Sequence, residues 1–159
     1  MGIILFIYRE PSEHQLIPIN TKLIITNELI NTMLNDFYLS LESITSEQDV
    51  CLQDCIKHLT FNHLGLIPVI AQCQESKEVL MHAWMNLAAL KKTLATGQMT
   101  YWSRSRNAFW IKGETSGNTQ QLINMRFDCD GDTILCLVKQ IGAACHTGRP
   151  NCFYLNIDN

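Results

Sequence analysis

The run from residue 127 to residue 153 constrains the fold most, because its thiols and carboxylates need partners that only a folded site supplies. It opens with Asp-Cys-Asp-Gly-Asp and closes with Cys-His-Thr-Gly-Arg-Pro-Asn-Cys. Three thiols on one zinc ion leave a tetrahedral position open, which is typical of catalytic zinc. Three carboxylates suit a harder cation such as Mg²⁺. The run therefore predicts a metal centre whose candidate ligands are Cys129, Cys145, Cys152, Asp128, Asp130 and Asp132.

Strand periodicity separates the first thiol from the carboxylates. If residues 122–130 are extended, the period of two places Cys129 with Ile123 on one face and Asp128 with Asp130 on the other. One metal ion would not reach both sets, so the alternation favours two metal sites, or one site on each side of an interface. The glycine before the third aspartate permits a bend that brings all three carboxylates around one Mg²⁺.

The spacing of the three thiols matches neither a four-thiol zinc ribbon nor a pair of zinc knuckles. Cys145 follows Cys129 by 16 residues, and Cys152 follows by seven more. A three-thiol zinc site and a set of unrelated buried cysteines both remain open on spacing alone. His146, next to a candidate ligand, favours proton transfer over a purely structural histidine.

The remaining cysteines are interpreted as structural. Cys51, Cys55 and His58 would share one helical face, but with His63 they crowd into thirteen residues without a turn, unlike a zinc finger. A partly buried helix face is the preferred interpretation. Cys136 lies in an apolar strand, where a thiol behaves as a small hydrophobic group.

Composition bounds the class of protein. The chain has 159 residues, 47% of them hydrophobic, and a formal net charge of −3, which suits one globular domain without general affinity for nucleic acid or anionic membranes. Seven cysteines without a signal peptide indicate a reducing compartment, so we expect a cytoplasmic protein. The apolar run Gly2–Tyr8 is too short to span a bilayer and is interpreted as a strand.

The chain divides at about residue 50. Residues 1–50 are predicted to be an N-terminal α/β extension of unknown role, either a packing extension or an oligomerisation arm, and their apolar periodicity predicts a helix over Glu28–Ser43. Residues 51–159 are predicted to form the main domain. Its short extended runs, separated by turns, indicate a strand-rich α+β fold with one clear helix.

That helix should begin after Asn86, bury Leu87, Leu90 and Leu94 on one face, and end at Gly97. The predicted strands are Leu66–Gln72, Val79–Trp84, Met99–Ser103, Ala108–Ile111, Gln121–Phe127, Ile134–Gln140 and Phe153–Leu155.

A second cluster concentrates positive charge and small polar residues in an otherwise acidic chain. Basic side chains with glycine-rich backbone N–H groups are the usual means of holding phosphates. A solvated hairpin loop explains the same composition equally well. The candidate substrate-binding residues are Ser103, Arg104, Arg106, Trp110, Lys112, Glu114, Thr115, Ser116, Asn118 and Arg149.

Several motifs in order resemble the phosphoribosyl-AMP cyclohydrolase family of histidine biosynthesis, from about Leu59 to Tyr154. They are Gly-Leu-Ile-Pro-Val-Ile from Gly65, Glu-Val-Leu-Met from Glu78, Tyr-Trp-Ser-Arg-Ser-Arg from Tyr101, Trp-Ile-Lys-Gly-Glu-Thr-Ser-Gly-Asn from Trp110, and the two metal motifs. The resemblance implies a hydrolase that opens the adenine ring of N1-(5-phosphoribosyl)-AMP at the N1–C6 bond.

The resemblance also implies roles for particular residues. The family's zinc thiolates fall on Cys129, Cys145 and Cys152, its magnesium carboxylates on Asp128, Asp130 and Asp132, and its active-site histidine on His146. The family enzyme is a homodimer with active sites at the subunit interface. That arrangement would explain how Cys129 and its neighbouring aspartates can both act although they lie on opposite faces of a strand. The resemblance does not explain residues 1–50. In many bacteria a phosphoribosyl-ATP pyrophosphatase is fused behind the cyclohydrolase. This chain ends at Asn159, so we expect it to lack that second activity.

Two rival functions remain at this point. One is a non-catalytic, zinc-stabilised nucleotide-binding module of the same fold. Loss of catalysis should erode His146, Arg104 and the aspartates before the structural cysteines, and all of these residues are present. The other is the same metal chemistry on a different purine nucleotide, which the residue types discriminate poorly.

Overall fold

The computed structural model describes residues 36–44 and 50–157. The strand predicted at Gly2–Tyr8 and the first half of the helix predicted at Glu28–Ser43 lie outside them. Residues 36–41 are helical and are called α1. The remaining elements, in chain order, are α2 (Leu52–Lys57), β1 (Ile67–Cys73), β2 (Val79–Met85), α3 (Leu87–Thr96), β3 (Thr100–Ser103), β4 (Ala108–Ile111), β5 (Gln120–Phe127) and β6 (Ile134–Gln140).

Four strands form one sheet in the order β2-β1-β6-β5, and β3 pairs with β4 in a separate two-stranded sheet. β1 runs parallel to β6, with Val69 opposite Ile134, and the other pairs are antiparallel. Alternation on β1 buries Ile67, Val69 and Ala71 in the core. The predicted α+β class is confirmed, since the described residues form mostly strands and include one helix longer than two turns.

Helix α3 follows its predicted boundaries because both caps are satisfied. The Asn86 side chain accepts the N–H of Ala89 at 2.8 Å, and Gly97 ends the helix with φ at +69°. The buried face differs from the prediction: Leu87 is 40% exposed, whereas Ala89 and Thr93 are buried beside Leu90. Leu87 is the first residue of the helix and lies outside the contact surface.

Polar contacts buried beneath the β3–β4 hairpin attach it to the main sheet. The Tyr101 hydroxyl donates to Gln120 Oε1 at 2.7 Å, and Gln120 Nε2 donates to Gln140 Oε1 at 2.8 Å. Tyr101 and Gln120 are fully buried. The backbone of Met99 also bonds Gln120 at 3.0 Å. These contacts set the hairpin beside the ends of β5 and β6.

Two extended segments of the sequence were assigned wrongly. Residues 153–155 form no strand, and Leu155 is 84% exposed, because the tail has no neighbouring strand to pair with among the described residues. β5 ends at Phe127 and carries a register shift between Leu122 and Asn124. The shift leaves Ile123 44% exposed, so the strict alternation predicted for residues 122–130 is wrong.

The helices before β1 pack on the same core as the sheet. Tyr38 and Ile56 are buried members of that core, and the Phe37 ring stacks on His58 with centroids 4.0 Å apart. Cys55 is buried and Cys51 is exposed, which confirms the partly buried helix face. The division of the chain at residue 50 stays a prediction.

Within the described ranges, no helix combines the length and the apolar character that crossing a bilayer requires.

Candidate active site

A cleft of about 590 Å³ lies between β2, β4 and the two loops that follow β4 and β6. It brings together most of the residues that the sequence predicted. From the phosphate and metal motifs it contains Arg106, Trp110, Lys112, Glu114, Thr115, Ser116, Asn118, Cys145, His146 and Cys152. Strand β2 contributes Met81 and His82 to the opposite wall.

A second cavity of about 520 Å³ adjoins this cleft and adds Ser103 and Arg104. Its aromatic wall includes Trp84, and the Arg104 guanidinium lies 5.0 Å from the centre of that ring. Arg149 lines neither cavity; its guanidinium lies 4.0 Å from the Tyr154 ring centre. Both cavities share His146, Arg106 and Trp110, so together they form one continuous polar and aromatic surface.

Two of the three candidate zinc thiols lie together in the cleft. Thr147 Oγ1 donates to Cys145 Sγ at 3.0 Å, and this bond is the main cause that lowers the pKa of Cys145. Partial burial, followed by the neighbouring Cys145, raises the pKa of Cys152. The backbone N–H of Cys152 donates to the carbonyl oxygen of Leu80 in β2 at 2.7 Å. This bond anchors the loop of residues 145–152, called the cysteine loop, to the edge of the sheet. These contacts favour the thiolate form at Cys145 over that at Cys152.

The third thiol lies elsewhere in the chain. Cys129 is exposed in the turn between β5 and β6, and it lines a groove of about 530 Å³ with Tyr38 and Phe127. Two strands separate β5 from β2, where Cys152 is anchored. Among the described residues, the three aspartates form the only group of three or more candidate ligands whose donor atoms lie within 4.8 Å. A single copy of the chain therefore does not bring the three thiols together.

The acidic loop, residues 128–132, does bring its carboxylates together. Ligand oxygens of Asp128, Asp130 and Asp132 all lie within 4.8 Å of one another. Asp128 Oδ1 accepts the N–H groups of Asp132 and Thr133, each at 3.0 Å. Burial, opposed by the Thr133 bond and aided by the adjacent carboxylates, raises the pKa of Asp128. The loop turns at Gly131 as predicted, although Asp128 and Asp130 do not continue the strand.

Lys112 occupies an internal position between the loops. Its side chain is buried, and Nζ donates to the carbonyl oxygens of Asn118 at 3.0 Å and Ala143 at 3.3 Å. Burial lowers the pKa of Lys112, while Cys152 and Cys145 act in the opposite direction. Lys112 thus joins the loop of residues 113–118 to the cysteine loop and places positive charge near the thiols.

Glycine is required where the first of these loops folds back. Gly113 has φ at +85°, and a Cβ there would lie 2.7 Å from the Asn118 carbonyl group. The close return of residues 113–118 exposes Thr115 and Ser116 at the wall of the cleft.

His82 is a candidate residue that the sequence reasoning missed. It lines both cavities, and burial together with the Arg104 charge lowers its pKa. The available signal was strand periodicity: His82 interrupts the apolar strand β2 at an outward-facing position between buried Met81 and Ala83. A neutral imidazole at this place can exchange hydrogen bonds with a bound heterocycle.

Comparison with known proteins assigns the family. The model of a family described as phosphoribosyl-AMP cyclohydrolase matches residues 81–154. A protein named phosphoribosyl-AMP cyclohydrolase from Roseobacter denitrificans is 58% identical over 101 residues, covering 64% of this chain and 79% of the relative. One of the same name from Hydrogenovibrio crunogenus is 61% identical over 101 residues, covering 64% and 69%. The chain belongs to the phosphoribosyl-AMP cyclohydrolase family.

Proposed function

We propose that this chain hydrolyses N1-(5-phosphoribosyl)-AMP in histidine biosynthesis. Water adds at C6 of the adenine ring and the N1–C6 bond breaks, so one water is consumed and the formimino-carboxamide ribonucleotide is released. The relatives' shared name supports the substrate. The observation that carries the proposal is one cleft that collects His146, two thiols and the loop of residues 113–118.

The proposed zinc ligands are Cys129, Cys145 and Cys152. The donor set fits zinc because thiolates are favoured ligands and the Thr147 hydroxyl already stabilises the charged form of Cys145. Zinc, when bound, supplies the Lewis acidity that makes water a nucleophile near neutral pH. Lys112 offsets negative charge on the thiols. By donating to Asn118 and Ala143, it also holds the chain before the cysteine loop against the loop of residues 113–118.

His146 is proposed to move protons. Its Nδ1 lies 3.9 Å from Cys145 Sγ, and its exposed ring lines both cavities. In that place the imidazole can accept a proton from the attacking water and donate one to the departing N1 nitrogen. N1 substitution makes the ring electron-poor, so a modestly activated water suffices.

The substrate's two phosphate groups match the two kinds of anion-binding group at the site. Arg104 and Arg106 border the second cavity, while Thr115, Ser116 and Asn118 offer hydroxyl, amide and backbone donors on the cleft wall. Arg149, on the exposed cysteine loop, would approach from the solvent side. Trp84, Trp102 and Trp110 line the second cavity and offer aromatic surface to the purine.

The acidic loop is proposed to bind Mg²⁺ through Asp128, Asp130 and Asp132. Oxygen donors within 4.8 Å of one another suit this cation, and its charge would relieve the repulsion that contributes to the raised pKa of Asp128. Bound there, Mg²⁺ would supply charge neutralisation and order to the loop that carries Cys129.

We further propose a homodimer with shared active sites. Cys129 is exposed on one side of the sheet, whereas the cleft with Cys145 and Cys152 adjoins the other edge strand. A second copy that places its Cys129 against this cleft would complete the thiol set. The separation of the thiols within one chain is the observation that supports this arrangement.

The proposed function is tested with purified full-length protein and phosphoribosyl-AMP, by following ring opening spectroscopically. We expect turnover that a zinc-selective chelator abolishes and added Zn²⁺ restores. Cys145→Ser and Cys152→Ser should lose zinc and turnover together. Full activity of a zinc-free Cys145→Ser protein would contradict the zinc-dependent mechanism. Binding without turnover would favour the non-catalytic module, and faster turnover of another purine nucleotide would change the substrate.

A further inference from the structure

The backbone of the acidic loop rests on a residue from outside the segment that the family model matches. Gly131, at the turn of the loop, is buried with φ at +69°. A Cβ added to Gly131 would overlap three ring atoms of Tyr38, so the loop backbone is in direct contact with the ring. The Gly131 carbonyl also accepts the N–H of Thr60 at 2.8 Å. Residues 38 and 60 both precede the matched residues 81–154.

Tyr38 is itself held firmly in place. Its side chain is 5% exposed, and its hydroxyl donates to the carbonyl oxygen of Cys55 in α2 at 3.0 Å. Its neighbour Phe37 stacks on His58, just beyond the end of α2. The ring is thus fixed by α2 as well as by its own helix, and it presents a rigid surface to the loop.

The loop needs such support because its carboxylates repel one another. Without a cation, three negative charges within 4.8 Å favour an opened loop. The hydrogen bonds within the loop join Asp128, Gly131, Asp132 and Thr133 to one another, and none of them involves Asp130. Glycine is the most flexible residue in a chain, so an unsupported Gly131 would let Asp130 and Asp132 move apart.

We propose that Tyr38 is a positioning residue for divalent-cation binding. By holding Gly131, it keeps the carboxylates of Asp130 and Asp132 close to Asp128 before the cation arrives. The carboxylates are then already ordered in the folded protein, so cation binding loses less conformational entropy and the cation affinity is higher. The inference rests on the cation site of the proposed function and assigns a role to a helix that the family match does not include.

The test measures Mn²⁺ binding to the zinc-loaded full chain by electron paramagnetic resonance of the free ion. Loss of a group that orients metal ligands typically weakens metal binding about 10–100-fold. We therefore expect Tyr38→Ala to raise the Mn²⁺ dissociation constant by about tenfold or more. Tyr38→Phe keeps the ring against Gly131 and should change it by less than about threefold, since one neutral hydrogen bond contributes modestly.

Two neighbours on the same helix provide matched controls. Leu39 is 50% exposed, so Leu39→Ala should leave Mn²⁺ affinity unchanged. Phe37→Ala removes packing against α2 and against the edge of the Tyr38 ring but keeps that ring beside Gly131, so it should weaken Mn²⁺ binding less than Tyr38→Ala does. Circular dichroism melts of each variant establish that binding is measured on folded protein. If Tyr38→Ala does not fold, Tyr38→Leu keeps buried apolar volume but loses the ring surface against Gly131, and it should also weaken Mn²⁺ binding.

The outcomes separate this inference from the function beneath it. Wild-type affinity in folded Tyr38→Ala, or equal weakening in Leu39→Ala, would overturn the role of Tyr38 while leaving the cation site intact. Asp130→Asn should abolish binding and identifies the site. A wild-type protein that binds no Mn²⁺ would overturn both the cation site and its support. A second readout is the Mg²⁺ concentration for half-maximal activity, which should rise in Tyr38→Ala while the rate at saturating Mg²⁺ is retained.

Discussion

At the scale of single residues, the candidate site depends on side chains that modify one another. Thr147 stabilises the Cys145 thiolate through one hydrogen bond, and Lys112 places a buried positive charge near both thiols of the cleft. His146 is exposed beside them, and its Nδ1 lies 3.9 Å from Cys145 Sγ. Among the described residues, no carboxylate forms a hydrogen bond with its ring. The residue types were predictable from sequence, but the pairing of Thr147 with Cys145 was not.

His146 should be required for the chemical step. We expect His146→Ala to lower kcat by about 10²–10⁴ with little change in KM, because general acid–base catalysis contributes a factor of that size. Steady-state kinetics with phosphoribosyl-AMP provides the measurement, and zinc content of the variant confirms that the metal site survives. A raised KM with unchanged kcat would instead make His146 a binding residue.

Arg104 should act mainly in substrate binding. Its guanidinium borders the second cavity and can meet a phosphate or the purine, so Arg104→Ala should raise KM by at least about tenfold, the effect of losing one charged hydrogen bond. Lys57→Ala serves as the control, since Lys57 is exposed and pairs with Asp54 at 2.7 Å. Equal effects of the two substitutions on KM would show that Arg104 has no special role.

At the scale of elements, the strands determine which thiols are available. β6 buries Cys136 completely, whereas the loops after β5 and β6 carry the candidate zinc ligands. Tyr101 of β3 is buried, and its bond to Gln120 holds the β3–β4 hairpin, which leads into the loop of residues 113–118, on the sheet. The apolar strand therefore keeps the Cys136 thiol in the core, as the sequence pattern around it predicted, apart from the candidate zinc ligands.

Burial raises the pKa of Cys136 to about 12 from an ordinary value of 9.0. The native protein thus keeps this proton at a pH where the unfolded chain releases it, and the free energy of unfolding falls as the pH rises above 9. Between pH 8 and pH 10 this thiol alone should lower the free energy of unfolding by about 1.4 kcal/mol. Urea denaturation at both pH values measures the change, which should shrink by that amount in Cys136→Val. An identical pH dependence in the variant would contradict the assignment.

At the scale of the whole molecule, the placement of Cys129 away from Cys145 and Cys152 makes complementation the decisive test of a shared site. Cys129→Ser and Cys145→Ser homodimers should each be inactive. After co-refolding with random association, about half of the dimers contain one chain of each variant. Each mixed dimer has one intact site out of two, so activity should recover to about a quarter of wild type. A mixture that stays inactive while chromatography shows mixed dimers would indicate that each chain supplies its own complete site.

Local patterns determined much of this protein from sequence alone. Strand alternation, the Asn86 cap and the Gly97 stop located β1, β2, α3, β4 and β6 within one or two residues, because these signals depend on neighbours a few positions away. The residue types of the metal and phosphate motifs were likewise readable without a structure. Errors occurred where local pattern is insufficient: the register shift at Ile123, and the unpaired tail at residues 153–155.

Only the tertiary structure decided which of these residues meet. Sheet order places Cys129 and the aspartates at the turn between β5 and β6, and the other two thiols beside β2, although all lie within 25 residues of one another. Folding turned Lys112 inward, drew His82 into both cavities, and set Tyr38 against Gly131 across more than 90 positions of the chain. Contacts between distant segments depend on how whole elements pack, and no periodicity within a short window encodes that arrangement.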